Sequence, residues 1–268
     1  MLILRQMERK NRPEYALVTG ASSGIGFQYA RVLAGYGYNI VAVSNEACME
    51  EKAAELRAEC PDCKVRPVVM DLGRVEAAGE LYDLCSSEGL TVEVLVNNAG
   101  VYHDRDFLDD SEAFTSLILL LHCYTPAMLM HRFAPDMEAR GRGYILNMSS
   151  VTSDFGAQRL STYSSTKGFL RLLSRATHVE LRSKGVNVTC VRPGAVATTL
   201  YNLKPAAMKA GLFFGYIITP ERLARKGVRA LFRGRAQITP GLYTKLLDLL
   251  VRLLPTSALR LIRRLRIF

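Results

Sequence analysis

Tyr163 and Lys167 stand four residues apart, the separation that places two side chains on one face of a helix. A free tyrosine has a pKa near 10, too high to exchange protons readily at neutral pH. A lysine ammonium about 4 Å away contributes roughly 4 kcal/mol at an effective dielectric near 20, enough to lower that pKa by up to about three units. The tyrosine then becomes a usable general acid or base. Ser150 lies 13 residues before Tyr163, and a hydroxyl at that point can hold a substrate carbonyl as it moves towards an alkoxide. Taken alone, Tyr-x-x-x-Lys is common on solvated helices. Its company in the chain decides what it is.

That company begins at Thr19-Gly-Ala-Ser-Ser-Gly-Ile-Gly26, which follows the apolar run Tyr15-Ala-Leu-Val18 and leads into Phe27 to Leu33, apolar at helical spacing. Strand, glycine turn and helix are the elements expected. Gly20, Gly24 and Gly26 remove the Cβ atoms that would hold a ligand off the backbone, and the helix begins with unpaired N–H groups and partial positive charge. The natural occupant is the diphosphate of a dinucleotide. Ser44-Asn45 follow the second strand, where an acid would accept the ribose 2′-OH of NAD and an arginine would favour NADP; this chain has neither there. Asp71-Leu72 follow the third strand, placed to meet the adenine edge, and Asp71 also suits a helix N-cap. Asn97-Asn-Ala-Gly100 closes the fourth strand with small residues and side-chain amides.

In the elements that carry these residues, the chain alternates two periods. Buried-strand runs occur at Ala16 to Val18, Asn39 to Val43, Val65 to Met70, Val92 to Val96, Tyr144 to Met148 and Val186 to Val191. Helical stretches lie between them at Phe27 to Leu33, Met49 to Cys60, Val75 to Ser86, Glu112 to Arg140 and Tyr163 to Lys184. Repeated strand, helix, strand predicts an α/β doubly wound parallel sheet with helices on both faces, and ligands beyond the carboxyl ends of the strands. A chain of 268 residues with 49% hydrophobic content suits one such domain. The expected divisions are an N-terminal arm (1–13), a nucleotide-binding and catalytic core (14–200), and a substrate lid with basic helices (201–268).

In this arrangement the sequence resembles the short-chain dehydrogenases/reductases. The matching residues, in family order, are Thr19 to Gly26, Asp71, Asn97-Asn-Ala-Gly100, Ser150, Tyr163 with Lys167, and Pro193-Gly-Ala-Val-Ala-Thr198. The resemblance implies a Rossmann-like sheet of about seven strands and hydride transfer between a nicotinamide and a hydroxyl or carbonyl carbon. It implies that Ser150 orients the carbonyl, Tyr163 exchanges its proton, and Lys167 acidifies Tyr163 and holds the nicotinamide ribose. Gly20, Ser22, Ser23, Gly24, Ile25 and Gly26 would line the diphosphate side, with Ser44, Asn45, Asp71 and Leu72 around the adenosine. Asn98, Ala99 and Gly100 would lie beneath the adjoining ribose, and Pro193, Gly194, Val196 and Thr198 against the nicotinamide.

Two positions depart from the family pattern. Many members carry an asparagine in the long helix after the fourth strand, holding a water that links the lysine to solvent. His122 falls there in this chain, and an imidazole can hold or relay a proton. A packed histidine bonded to backbone is the other reading. The second departure is Asn45, where the most similar subgroup often has arginine. With no Asp to repel a 2′-phosphate, NADP (NADPH) is expected over NAD by a small margin.

The pattern looks most like members that reduce 3-oxoacyl thioesters, 3-ketosphinganine or 17-ketosteroids, so a lipophilic small-molecule substrate is expected. Met208, Leu212, Phe213, Phe214 and Tyr216 are candidates to line its pocket, or to pack on the core. An NAD-dependent hydroxysteroid dehydrogenase, and a weakly active nucleotide-binding sensor or scaffold, are the alternatives. From Tyr201 onward the chain carries 14 Lys and Arg against Glu221 and Asp248 alone. Leucines interleaved with these cations suggest a peripheral membrane contact, an oligomer contact or an acyl-carrier contact. A homo-oligomer, dimer or tetramer, is expected from relatives; nucleic acid is not expected, since aromatic residues are not interleaved with the basic ones. Six scattered cysteines suggest reduced thiols, and Cys60-Pro-Asp-Cys63 reads as a loop with two of them, with no metal expected. No apolar run approaches the roughly 18 to 20 residues that a membrane span requires, which predicts a cytoplasmic protein, possibly membrane-associated.

Overall fold

The computed structural model describes residues 13–198 and 205–252. Residues 1–12 of the expected N-terminal arm, residues 199–204 at the start of the lid and the segment after Arg252 therefore lie outside the described residues. Parallel strands that are covered on both faces need apolar side chains on both, and the chain supplies them: every residue of β2 (Asn39–Ser44) and β4 (Val92–Asn97) is buried. With β1 (Tyr15–Thr19), β3 (Val65–Val69), β5 (Gly143–Met148), β6 (Val186–Val191) and the two-residue β9 (Gln237–Ile238) they form one parallel sheet in the order β3-β2-β1-β4-β5-β6-β9. The strand order reverses between β1 and β4, and a crevice opens there beyond the strand ends. The fold is the Rossmann-like α/β domain expected. The seventh strand has only two residues, too few to give a pattern in the sequence.

Two apolar layers hold the helices on. On one face, α1 (Gly24–Gly35) and α8 (Pro220–Phe232) pack against the sheet through Tyr29, Leu33, Leu223 and Leu231. On the other, α3 (Ala77–Ser87) and α5 (Thr125–Ala139) do so through Leu81, Leu129 and Phe133. The helix α2 (Met49–Glu59) joins β2 to β3 in the chain and packs in the same layer as α1 through Met49, Ala53 and Leu56. The helix α6 (Ser161–Arg182) crosses from β5 to β6 and carries the residues of greatest chemical interest.

The helical stretch Glu112–Ala139 is continuous, formed by α4 (Glu112–Leu119), a π turn (Leu120–Tyr124) and α5. It is long and apolar enough to cross a membrane by length and composition, which corrects the reading that no such stretch exists. Its α5 half is a core helix: Leu129, Met130, Phe133 and Met137 are buried against the sheet. Beyond β6 the chain forms a separate two-stranded sheet from β7 (Ala195–Val196) and β8 (Ile217–Ile218), with α7 (Pro205–Phe214) between them and α9 (Leu242–Arg252) closing the described chain.

Candidate active site

Strand β5 ends at Met148, and the chain turns at Ser150 into a single 3₁₀ turn, Val151–Asp154. Ser150 caps that turn, its Oγ accepting from Thr152 N–H at 3.2 Å and from Thr152 Oγ1 at 3.1 Å. Tyr163 and Lys167 occupy the first two turns of α6, both buried. The Lys167 Nζ stands 5.5 Å from the centre of the Tyr163 ring and donates to the Met148 carbonyl at 3.0 Å. Burial with little else in compensation pulls the Lys167 pKa down to about 8. The spacing read from the sequence thus places the two side chains on one face at the end of β5, and Ser149 Oγ, donating to the Lys167 carbonyl at 2.7 Å, ties helix to strand end. Deeper in, a side-chain chain from Asn97 to Asn147 to Ser174 fixes α6 against β4 and β5.

The glycine turn lies one crevice away. Gly20 and Gly24 have positive φ, 66° and 53°, the region that suits glycine. A Cβ on Gly26 would meet the Gly20 carbonyl oxygen at 1.9 Å, so the turn and the helix start touch backbone to backbone. Ser23 precedes α1 without capping it by its side chain, and no acid stands in the first turn, so the terminal N–H groups and their partial positive charge face the crevice. Thr19 locks this turn to its neighbour: its Oγ1 accepts from Asn98 N–H at 2.9 Å and Ala99 N–H at 3.0 Å, while Asn98 Nδ2 donates to the Thr19 carbonyl.

A cavity of about 370 Å³ runs along these segments, lined by the glycine turn, Ser44 to Glu46, Met70 to Leu72, Asn98 to Val101 and Thr198. Its glycine cradle and the buried Thr198 Oγ1, which has no hydrogen-bond partner among the described residues, fit a nucleotide diphosphate and the polar carboxamide of a nicotinamide. Ser44 lines the cavity and donates its hydroxyl to Ser22 Oγ at 3.0 Å. Asn45 is exposed at the rim, and Glu46 stands in the wall beside it. Asp71 caps no helix; its Oδ1 accepts from Gly73 N–H, a local turn that leaves the carboxylate on the cavity wall with Leu72 behind it. Pro193 accepts from Val151 N–H, Gly194 packs on Thr244, and Val196 is buried in β7, so of that segment Thr198 is the residue in the cavity wall.

His122 lies in the π turn, 1% exposed, edge-on to Tyr163 at 5.7 Å. Its Nε2 meets Val101 N–H at 3.0 Å and its Nδ1 meets Thr166 Oγ1 at 3.0 Å. Burial and the Lys167 charge hold its pKa well below the usual histidine value.

Three features escaped sequence reasoning. Glu46 follows Ser44-Asn45 and lacks any signal of its own. Tyr102 stands edge-on to Tyr163 at 5.3 Å, on a loop without periodicity. Arg192, 1% exposed, forms ion pairs with Asp154 and Asp248, and Asp154 also binds Arg171 at 2.8 Å. Their partners are up to 56 residues apart, beyond any local pattern. Of the candidate pocket residues of the lid, Phe213 and Phe214 are 84% and 72% exposed, Leu212 and Tyr216 lie at the surface, and Met208 is half-buried.

Comparison with known proteins gives a consistent picture. The family model described as short chain dehydrogenase matches residues 14–208. Very-long-chain 3-oxoacyl-CoA reductase from Phaeosphaeria nodorum is 32% identical over 202 residues, covering 74% of this chain and 59% of that one. Its human counterpart of the same name is 32% identical over 197 residues, covering 71% and 62%. The chain therefore matches about three fifths of the length of these relatives. Among solved structures, a short-chain dehydrogenase from Sphingobium yanoikuyae in complex with NADPH superposes with a TM-score of 0.76 at 26% identity, covering 85% of this chain and 88% of the other.

Proposed function

Because the chain belongs to the short-chain dehydrogenase family, we propose that it is an NAD(P)-dependent oxidoreductase reducing the ketone of a lipophilic substrate, with a 3-oxoacyl thioester as the leading class. One observation carries the reading: Tyr163 and Lys167 are buried on one face of α6, Lys167 bonded to the end of β5 that leads to Ser150, and His122 bridges Tyr163 to the Gly100–Val101 wall of the glycine-lined cavity. The nicotinamide, when bound, supplies the hydride. The α1 N-terminus and Gly20 to Gly26 hold the diphosphate, and the Thr198 hydroxyl, without a partner among the described residues, receives the carboxamide. Ser150 Oγ donates to the substrate carbonyl oxygen, and Tyr163 delivers the proton that the oxygen needs as it becomes a hydroxyl. The Lys167 ammonium favours the ionised tyrosine after that transfer and reaches the ribose. The relatives named for 3-oxoacyl-CoA reduction support the thioester.

The test is turnover. The full-length protein, incubated with NADPH or NADH, should consume the cofactor with 3-oxoacyl-CoA esters of increasing chain length, or with 3-ketosphinganine or a 17-ketosteroid. Tyr163→Phe should cut that turnover by at least about 10²-fold, the usual share of acid–base catalysis, with cofactor affinity nearly unchanged. Full turnover in the variant would sink the assignment of Tyr163. Cofactor binding without turnover of any ketone would favour a nucleotide-binding sensor.

We also propose that the C-terminal part contacts an anionic membrane surface. On α9, Leu242, Tyr243, Leu246, Leu249 and Leu250 are exposed, while Thr244 and Asp248 face inward. Tyr243 touches Tyr216, which brings this face towards the exposed Phe213 and Phe214. Lys226, with its pKa lowered by burial and by the like charges of Arg222 and Lys245, marks three cations gathered alongside. An apolar helix face bordered by lysine and arginine suits the headgroup region of a bilayer.

A further inference from the structure

The π turn at Leu120–Tyr124 widens the helix locally, and His122 within it is buried against the start of α6. Val101 N–H stands 3.0 Å from Nε2. A backbone amide can only donate, so Nε2 is the acceptor and the ring proton of a neutral imidazole sits on Nδ1. That N–H donates to Thr166 Oγ1 at 3.0 Å, and the hydroxyl in turn donates to the Tyr163 carbonyl at 2.8 Å. The chain ends on a backbone oxygen that has no proton to release.

We infer that His122 is a neutral positioning residue that pins the nucleotide-side loop to the first turn of the catalytic helix, rather than a proton relay. Each end of the imidazole is committed. Protonation would set an N–H at Nε2 against the Val101 N–H and cost the loop its anchor. The charged and titratable groups that face the ring, the Lys167 ammonium and the Tyr163 phenol, offer no carboxylate to hold an imidazolium. Lys167 has its own partner in the Met148 carbonyl. The fit to the loop is close: a Cβ on Gly100 would stand 2.6 Å from Nε2, so glycine there lets the backbone lie directly on the ring. Val101 and Gly100 belong to the cavity wall, whereas Thr166 sits one turn along from Tyr163. One side chain thus sets the distance between the cofactor cavity and the acid that must act beside it.

The spectroscopic test is independent of the proposed activity, whereas the kinetic test rests on it. The protein has four histidines, so ¹⁵N-labelled imidazoles can be resolved and His122 assigned by its contact with Thr166. It should show a neutral ring protonated on Nδ1 from pH 6 to pH 8. An imidazolium, or a ring protonated on Nε2, in that range overturns the inference. Two variants then separate the two ends of the ring. His122→Gln places an amide oxygen where Nε2 accepts, and His122→Asn, one carbon shorter, keeps a donor for Thr166 and loses Val101. The asparagine variant should raise the cofactor KM about tenfold over the glutamine variant, the cost of one lost hydrogen bond, with the shape of the kcat pH profile the same in both. A kcat loss of about 10² or more in both, with cofactor KM unmoved and activity restored by added imidazole, would establish a relay instead. If neither variant folds, the tautomer in the unaltered protein decides the matter.

Discussion

At the scale of single residues, the site is built by placing polar groups where water cannot reach them. Lys167 is the clearest case, because burial has lowered its pKa from 10.5 to about 8. Below pH 8 the folded chain holds a buried ammonium at a cost; between pH 8 and about 10.5 the folded state binds fewer protons than the unfolded one at this residue, so its contribution to stability improves as pH rises. Lys167→Met, which has no charge to bury, should therefore lose ground against the wild type as urea midpoints are followed from pH 7 to pH 10. A constant difference would mean that Lys167 does not titrate in that window. Glu46 acts at the opposite end of the cavity. No lysine or arginine lines the wall among the described residues, and Glu46 adds an acid one residue beyond the Ser44-Asn45 pair that lacks one. The expected margin of NADPH over NADH is thereby narrowed, and Glu46→Gln should raise NADPH affinity relative to NADH by about 3- to 10-fold at low salt, as read by calorimetric titration. An unchanged ratio would place the 2′ position of the ribose away from Glu46.

The elements matter through what they join. The glycine turn was readable because its job is local: a strand must end, a helix must begin, and positive φ at Gly20 and Gly24 is needed within seven residues. The fixing of the C-terminal helix is a different matter. Asp248 of α9 reaches Arg192 at the end of β6, and the same guanidinium binds Asp154 in the turn that Ser150 caps. Helix α9 is thus tied by a buried ion pair to the segment that holds the candidate catalytic serine. Asp248→Ala should lower stability by about 1 to 3 kcal/mol, since Arg192 keeps Asp154 and loses one charged acceptor. Faster hydrogen exchange of the α9 amides should accompany it. Unaltered exchange in α9 would show that its apolar contacts alone hold it in place.

Over the whole molecule, charge and apolar surface are gathered at one end of the sequence, with the exposed leucines of α9 between cations of the last 68 residues. If that region rests on a bilayer, removal of residues 256–268, which carry four arginines and no acid, should abolish sedimentation with anionic vesicles. Unchanged sedimentation would assign those arginines to another partner. The sequence by itself determined the alternating α/β plan, the glycine turn and the Tyr163–Lys167 pair, because each depends on residues within one or two turns of one another and on the 2.0 and 3.6 periods of strand and helix. It located six of the seven sheet strands for the same reason. Tertiary structure alone decided the rest: the tautomer of His122, set by an amide 21 residues away; the Arg192 ion pairs, reaching 38 and 56 residues; Glu46 in the cavity wall; and the exposed Phe213 and Phe214. Each of these is a matter of which distant groups share a space too small for water, and no local pattern in a chain records that.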